Sequence, residues 1–327
     1  RSPVLTSFQE QLPVKEKSFT QQQRNALVEV LHRQYEKVNT TALVERNIAA
    51  LEKQTTFTVT TGHQLNVFTG PLYFIFKIVT TINTCKQLKA AYPQYDFVPV
   101  YWMASEDHDY EEIKSFRLQG NTHTWQTNQG GAVGRFSTGD MAAWLETIPG
   151  DVSIFKEAYT QHHTLANAVR HYVDALFAHE GLVIIDADDA QLKKSFTPVM
   201  QADIMEQTTR PIVDATSAAL EKLGYKTQVH CRDINFFYLH EQVRSRIEKR
   251  CDRFVVVDTA IEFSTVEMQA LIDNTPERLS PNVVLRPLYQ EMILPNLAYV
   301  GGPAEIVYWL QLKALFDHHR IEFPVLM

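Results

Sequence analysis

The strongest constraint on the fold is a strand-helix-strand pattern in the first third of the chain. Residues 57–61 are β-branched or aromatic and are followed by Gly62, which predicts a strand. A helix is predicted from Pro71 to about Ala91, because proline is well tolerated at the first helical position and the first half of the segment is apolar nearly all round. Residues 97–103 form a second apolar strand. Two strands joined by one buried helix predict an α/β protein with a parallel sheet.

The alternation of helices and strands continues through the rest of the chain. Helical patterning returns at 154–179, and Ser264 with Glu267 forms a capping box that begins another helix. A helix from Ala304 to about Phe316 follows a second glycine-proline junction. Further strands are predicted at 182–185, 236–239, 254–257 and 297–300. This repeated order supports the α/β class.

The length of 327 residues fits two domains or one large α/β domain with insertions. Residues 1–55 are polar and helix-prone, and we interpret them as an N-terminal helical flank of a core that covers 56–327. Residues 116–150 are rich in Gly, Thr, Asn and Gln and weakly periodic, which predicts an insertion. A second insertion is expected at about 205–250.

The composition argues against several classes of protein. Lys and Arg number 31 against 38 Asp and Glu, so the net charge of −7 does not favour bulk binding to nucleic acid or anionic membranes. The three cysteines form no Cys-X-X-Cys pair, which supports neither a disulfide framework nor a thiolate zinc site. No run approaches the roughly 18 apolar residues of a membrane span. We therefore expect a cytoplasmic enzyme with small-molecule substrates and no nucleic-acid or membrane partner.

The loop after the first predicted strand is a candidate binding loop. Ligands of parallel α/β sheets bind at the carboxyl ends of strands, where loops lead into helix N-termini that favour anions. The loop matches neither the Walker motif nor Gly-X-Gly-X-X-Gly, and a tight turn with a satisfied histidine is the alternative. Lys77 lies in the apolar helix that follows, and its ammonium must either reach solvent along its aliphatic stem or contact an anion. The candidate residues are Gly62, His63, Gln64, Thr69, Gly70 and Lys77.

The second predicted strand, which contains Trp102, leads into the densest group of charged residues. Five carboxylates and one histidine occur within seven residues, and the candidates among them are Glu106, Asp107, His108, Asp109 and Glu112. Crowded carboxylates raise one another's pKa, which suits a general base, a clamp for a substrate ammonium or a divalent ion. An acidic helix N-terminus at the surface is the alternative.

Two later segments add polar candidates. The first contains Asn282 and Arg286, and an arginine among apolar residues can grip a carboxylate or a phosphate or form a structural salt bridge. The second is the junction of Gly301 and Gly302 with Glu305, a second helix entry. Its glutamate can contact a ligand or complement the helix dipole.

Several of these segments together resemble one protein family. They are Thr60-Thr61-Gly62-His63-Gln64, Thr69-Gly70-Pro71-Leu72-Tyr73 with Lys77, Val98 to Asp109, Arg286-Pro287, and Gly301-Gly302-Pro303-Ala304-Glu305. In this order they resemble the bacillithiol biosynthesis cysteine-adding enzymes. The resemblance implies a Rossmann-like parallel sheet with helices on both faces, related to the cores of class I aminoacyl-tRNA synthetases and nucleotidyltransferases. It also implies inserted connecting segments and a downstream coiled coil that pairs two subunits.

The resemblance further implies the last step of bacillithiol synthesis, which joins the carboxyl of L-cysteine to the amine of glucosaminyl malate. ATP with Mg²⁺ is expected, because amide formation from a free carboxylate in water requires activation. Asp107 or Asp109 would hold an ammonium, while Glu106 or His108 would remove a proton from the attacking nitrogen. Neither a resident metal nor a catalytic cysteine is implied. His63 departs from the Gly-Gln-Gln that the family's first loop often shows.

The chain ends at Met327, before the expected coiled coil, and the resemblance implies that the full-length protein forms a homodimer through that coiled coil. Two alternatives to the ligase remain open. A metal-dependent hydrolase would use residues 106–112 with Asp186 or Asp188 to bind a divalent ion that activates water. Without such an ion, these two aspartates and Asp189 are interpreted as a helix-capping cluster. In the second alternative, the protein is a non-catalytic scaffold that keeps the fold but not the activity.

Overall fold

A computed structural model of the chain describes residues 2–327. The chain divides into two compact units. The first contains the chain up to Leu27 together with Asp188–His240 and Arg244–Met327, and the second contains Val28–Ala187 and Glu241–Val243. The predicted flank covers residues 1–55; its described part, from residue 2, contains three helices and belongs partly to each unit. The domain limits stated from the sequence stay predictions.

The described residues contain fifteen α-helices and twelve strands. The helices are α1 (Leu5–Ser18), α2 (Gln21–Tyr35), α3 (Ala42–Ala50), α4 (Tyr73–Ala91), α5 (Tyr110–Ile113), α6 (Met141–Leu145), α7 (Ser153–Gln161), α8 (Leu165–Phe177), α9 (Ala190–Lys194), α10 (Thr197–Met200), α11 (Thr209–Lys222), α12 (Thr265–Asn274), α13 (Arg286–Ile293), α14 (Pro303–Gln311) and α15 (Lys313–His318). The strands are β1 (Thr56–His63), β2 (Asp96–Met103), β3 (Ser115–Leu118), β4 (Asn121–Thr124), β5 (Val183–Asp186), β6 (Phe236–His240), β7 (Val243–Arg250), β8 (Arg253–Val256), β9 (Glu262–Ser264), β10 (Leu279–Pro281), β11 (Asn296–Tyr299) and β12 (Val325–Leu326).

The second unit contains the predicted strand-helix-strand pattern. β1 pairs in parallel with β2, and β2 pairs in parallel with β5, so the strand order is β1-β2-β5. Helix α4 packs against β1 and β2, whereas α3 and α8 pack against β5. The three strands are buried because their apolar runs are covered by these helices. The predicted parallel α/β pattern is therefore confirmed, and the carboxyl ends of all three strands share one edge.

Helix α4 begins later than the sequence predicted. The expectation that Pro71 is the first helical residue is wrong, because the helix begins at Tyr73 with Leu72 as its N-cap. A short 3₁₀ turn at Val67–Thr69 precedes it, and Thr69 and Gly70 both have positive φ angles, of 67° and 62°. A Cβ at Gly70 would lie 2.5 Å from Cβ of Asn66, so glycine is required for both backbone conformation and space.

Residues 116–150 contribute to the interior of the second unit. β3 and β4 form an antiparallel hairpin, but Trp125, Val133, Phe136 and Met141 beyond it are at most 2% exposed. Weak periodicity did not indicate this burial, since it comes from short irregular segments. The helix predicted over 154–179 is interrupted: α7 and α8 are separate, and the side chain of Thr164 caps α8.

The first unit contains an antiparallel sheet in the order β10-β6-β7-β8-β9, and the parallel pair β11 and β12. The strands predicted at 236–239, 254–257 and 297–300 are confirmed to within one or two residues by β6, β8 and β11. The capping box of Ser264 and Glu267 is present at α12. The single helix predicted from 304 to 316 is wrong, because α14 and α15 are separated at Leu312.

A buried ion pair holds α1 against α13 within the first unit. Nζ of Lys15 lies 3.4 Å from Oε2 of Glu291, and both side chains are at most 2% exposed. The other carboxylate oxygen of Glu291 accepts hydrogen bonds from Asn296 at 2.6 Å and from Gln290 at 3.0 Å. The pair is therefore fully surrounded by protein. In the described part of the chain, no helix has the length and apolar character needed to cross a membrane.

Candidate functional site

The loops that follow β1 and β2 are joined by a hydrogen bond between two predicted site residues. Nε2 of Gln64 donates to Oδ2 of Asp107 at 2.6 Å. Oδ1 of Asp107 accepts from the backbone N–H of His108 at 2.7 Å, and Nδ1 of the His108 ring lies 3.2 Å from the same oxygen. The register of β1 and β2 pairs Gly62 with Trp102, which brings the two loops to one edge of the sheet. The Asp107 carboxylate is thus held from both loops.

The acidic residues occupy different environments within the second loop. Glu106 and Asp107 are half-buried, whereas His108 and Asp109 are exposed. Oδ1 of Asp109 accepts from the backbone N–H of Glu112 at 3.1 Å and caps α5. Burial, followed by the charges of Asp109 and Asp107, raises the pKa of Glu112 above its usual range. Asp109 therefore acts as the cap of a surface helix, as the alternative interpretation expected. Asp107 instead accepts a hydrogen bond from Gln64 in the first loop.

Two residues of the 116–150 segment bind the loop between β2 and α5, residues 104–109, which we call the acidic loop. The backbone N–H of Val133 donates to the carbonyl oxygen of Asp107 at 2.6 Å, and that of Gly134 donates to the carbonyl oxygen of Ser105 at 2.8 Å. A Cβ at Gly134 would lie 2.6 to 2.9 Å from atoms of Ser105. No residue larger than glycine fits here without displacing the loop, so Gly134 controls the position of the acidic loop.

The first loop and α4 enclose Lys77. Its Nζ donates to the carbonyl oxygen of Gly62 at 2.5 Å and lies 5.4 Å from the centre of the Tyr73 ring. The side chain is 4% exposed, so the alternative in which it reaches solvent is wrong. The ring of His63 packs against Phe74 at 5.1 Å, and the His63 carbonyl oxygen accepts from the backbone N–H of Ala104 at 3.1 Å. These contacts tie the first loop to both α4 and β2.

The remaining predicted residues lie in the first unit. Oδ1 of Asn282 accepts from the backbone N–H of Val284 at 2.8 Å and supports the start of α13. Arg286 donates to Oε1 of Gln290 at 3.1 Å, and its guanidinium lies 5.7 Å from the centre of the Tyr299 ring. Anion binding and a structural salt bridge, the two interpretations of Arg286 from the sequence, both stay predictions.

The second glycine junction is organised by Glu305. Its two carboxylate oxygens accept from the Tyr299 hydroxyl and from the backbone N–H of Gly302, each at 2.7 Å. A Cβ at Gly301 would lie 2.9 Å from the Tyr299 ring, so glycine allows the close approach. Glu305 therefore binds a backbone N–H at the N-terminus of α14, where a carboxylate complements the helix dipole.

The predicted site residues therefore fall into two sets. The second unit contains Gly62, His63, Gln64, Thr69, Gly70, Lys77, Trp102, Glu106, Asp107, His108, Asp109 and Glu112. The first contains Asn282, Arg286, Gly301, Gly302 and Glu305. In the second unit, hydrogen bonds connect Gln64 with Asp107 and Lys77 with Gly62. Strand register pairs Gly62 with Trp102, although Trp102 is 2% exposed and belongs to the core of β2.

The aspartates after β5 have separate roles. Asp189 caps α9 by accepting from the backbone N–H groups of Gln191 and Leu192, as the capping interpretation expects. Asp188 accepts from Lys193 at 3.4 Å. Asp186 instead accepts a hydrogen bond from the hydroxyl of Ser105, a contact that the sequence did not indicate. Within residues 2–327, no three His, Cys, Asp or Glu side chains stand close enough together to hold a metal ion.

A polar cavity in the second unit contains none of the predicted residues. It has a volume of about 1040 Å³ and lies among α2, α7 and α8. Its lining includes Arg33, Lys37, His162, His163 and His171. Nε2 of His162 lies 2.9 Å from Nδ1 of His171. Spacing along the sequence did not indicate this grouping, because it joins residues of α2, α7 and α8 and of the segments next to these helices.

Comparison with known proteins identifies close relatives. The family described as "Bacillithiol biosynthesis BshC, N-terminal Rossmann-like domain" matches residues 1–327. A protein of Flavobacterium psychrophilum named "Putative cysteine ligase BshC" is 45% identical over 336 aligned positions, which cover 99% of this chain and 63% of the relative. Relatives with the same name from Cytophaga hutchinsonii and Chlorobaculum tepidum are 48% and 31% identical, over 93% and 92% of this chain. The chain spans 57–63% of the length of these three relatives.

Proposed function

Since this chain belongs to the bacillithiol biosynthesis BshC family and matches its N-terminal Rossmann-like domain, we propose that the protein acts in bacillithiol synthesis as a cysteine ligase. The reaction would join the carboxyl of L-cysteine to the amine of glucosaminyl malate. We place it in the cytoplasm, and we propose a homodimer for the full-length protein. The names of the relatives support the reaction class, and the sequence resemblance supports the substrates and the dimer.

The observation that carries this proposal is the hydrogen bond between Gln64 and Asp107. It joins the loops after two adjacent parallel strands at their carboxyl ends, which is where α/β proteins bind small molecules. The residues around it offer carboxylates, an imidazole and a buried ammonium. An amide-forming enzyme needs such groups, because it must bind charged amines and an activated carboxyl.

We propose that ATP with Mg²⁺ activates the cysteine carboxyl. The first loop offers a partial fit to a phosphate group, because it leads into the N-terminus of α4 and Lys77 supplies a buried cation. Lys77 would supply the positive charge for that phosphate at the end of β1, where its Nζ donates to the Gly62 carbonyl oxygen. Mg²⁺ is commonly bound by phosphates with one or two carboxylates, and the acidic loop offers carboxylates.

Bond formation requires a free amine in place of an ammonium. In the proposed step the amine nitrogen attacks the activated carboxyl carbon, the C–N bond forms, and the activating group leaves with the electrons of its C–O bond. Glu106 or His108 takes the proton released by the nitrogen. Asp107 or Asp109 holds a substrate ammonium, and Asp107 is supported for this role because Gln64 fixes its carboxylate.

The test is mass-spectrometric detection of bacillithiol after incubation of the full-length protein with glucosaminyl malate, L-cysteine and Mg-ATP. ATP-dependent product is expected, and an Asp107→Asn variant should lose most of it. Asp252→Asn is a matched control, because Asp252 is exposed in a hairpin turn of the other unit. Product without ATP would contradict the proposed activation, and no product from a folded protein would contradict the proposed reaction.

A further inference from the structure

Asp186 occupies a place in the sheet that the proposed reaction has not yet used. Strand register pairs Met103 of β2 with Asp186 of β5 on one side and with His63 of β1 on the other. Paired residues of parallel strands point to the same face, so these three side chains form one row at the carboxyl ends of the strands. The Ser105 hydroxyl, on the acidic loop, donates to the Asp186 carboxylate. Asp186 therefore lies beside the residues already proposed to bind substrate.

The backbone of Asp186 is held from the opposite side by Gln34. The Gln34 amide donates to the Asp186 carbonyl oxygen at 2.7 Å and accepts from the Asp186 N–H at 3.0 Å. Arg170 donates to Gln34 and to the Ile184 carbonyl oxygen, each at 2.7 Å, and the Tyr35 hydroxyl accepts from the Ile184 N–H at 2.8 Å. β5 is an edge strand, whose outer polar groups ordinarily face solvent. In this protein, the side chains of Gln34, Arg170 and Tyr35 bind the outer backbone groups of β5 and fix its carboxyl end.

A carboxylate fixed in this way can bind one of the two amines that take part in amide formation, the α-amine of the amino-acid substrate. One amine must lose its proton to attack, whereas the α-ammonium of the amino-acid substrate must stay protonated and unreactive. A nearby carboxylate stabilises the protonated form of an ammonium. An ammonium also donates three hydrogen bonds, and Asp107 already accepts from Gln64 and from His108. A second carboxylate beside Asp107 supplies a further acceptor for this ammonium.

We propose that Asp186 is a further substrate-binding residue, whose carboxylate accepts a hydrogen bond from the α-ammonium of the amino-acid substrate. Ser105 and Gln34 act as positioning residues, Ser105 on the carboxylate and Gln34 on the backbone. This inference rests on the proposed function, since it assigns one group of the proposed substrate to one residue.

The test compares full-length wild-type protein with Asp186→Asn. Loss of a hydrogen bond between charged groups should raise KM for L-cysteine by about 10- to 100-fold. KM for glucosaminyl malate and for ATP should stay unchanged. The second readout uses 3-mercaptopropionate, which is cysteine without its ammonium. Wild-type protein should strongly prefer cysteine to this analogue in kcat/KM, and Asp186→Asn should lose most of that preference, a change that a general loss of stability would not produce.

Two further variants keep the test decisive. Asp252→Asn makes the same chemical change at an exposed turn and should behave as wild type. Ser105→Ala removes the hydroxyl that orients the carboxylate and should raise KM for L-cysteine by a smaller factor in the same direction, which tests the proposal if Asp186→Asn does not fold. Unchanged KM and preference in a folded Asp186→Asn protein would overturn the inference while leaving the proposed reaction intact. If wild-type protein forms no product, the proposed reaction fails, and calorimetric binding of L-cysteine to wild type and Asp186→Asn still tests the residue.

Discussion

Replacement of Gly134 by alanine should displace the acidic loop. The added Cβ would meet Ser105 at 2.6 Å, and relief of this contact to 3.4 Å requires a displacement of about 0.8 Å. Overpacking of this kind costs roughly 1–3 kcal/mol. The two backbone hydrogen bonds from Val133 and Gly134 would also weaken, and each contributes about 1 kcal/mol. The expected loss in the free energy of unfolding is therefore about 2–4 kcal/mol.

The measurement is urea denaturation followed by tryptophan fluorescence. Trp102, Trp125 and Trp144 lie in the same unit as Gly134 and report on its unfolding. Gly139→Ala is the matched control, because its Cβ would make only an ordinary contact of 3.4 Å with Ser137. It should change the free energy of unfolding by less than about 0.5 kcal/mol.

The same substitution should reduce catalysis, since misplacement of binding groups by about 1 Å can lower a rate on the order of 100-fold. Amide formation by Gly134→Ala should therefore fall sharply under conditions where the variant is folded. Wild-type stability and activity in Gly134→Ala would refute the argument that this glycine controls the loop. Equal losses in Gly139→Ala would show that the effect is a general response to alanine.

Three further changes have defined outcomes. Glu291→Gln should lower the free energy of unfolding by about 3–5 kcal/mol in urea titrations, because it leaves Lys15 charged and buried, and a second change of Lys15→Met should recover most of the loss. Burial raises the pKa of Asp203 to about 6 from 3.8, so its contribution to stability is present below pH 3.8 and is lost as the pH rises through 6. Denaturation at a series of pH values should show a decrease of about 3 kcal/mol between pH 3 and pH 8 that Asp203→Asn lacks. Gln64→Leu should lower the rate of amide formation by about tenfold without unfolding the protein, because it removes the donor to Asp107, and an unchanged rate would contradict the proposed role of this hydrogen bond.

The parallel strands could be predicted because their residues carry local signals. Residues 57–61 and 97–103 are β-branched, aromatic or apolar, and glycine and proline mark the ends of the elements around them. The start of α4 was predicted two residues early at Pro71, because proline is equally suited to the bend that precedes this helix. Local patterns thus give the elements but not the backbone conformation of the loops between them.

The supporting contacts of the site could not be predicted because they join distant parts of the chain. Gln34 and Asp186 are 152 residues apart, and the glutamine lies on an ordinary amphipathic helix. Ser105 was inside a recognised motif, but only the folded structure shows that its hydroxyl donates to Asp186. Gly134 lies in a segment without periodicity, and its importance comes from the Ser105 atoms that it approaches.

The most direct test of the central claim is a crystal structure of the full-length protein with L-cysteine and glucosaminyl malate bound. We expect the amino acid within hydrogen-bond distance of Asp107 or Asp186, at the carboxyl ends of β1, β2 and β5. Both substrates bound in the cavity lined by His162 and His171, with the strand edge empty, would contradict the account.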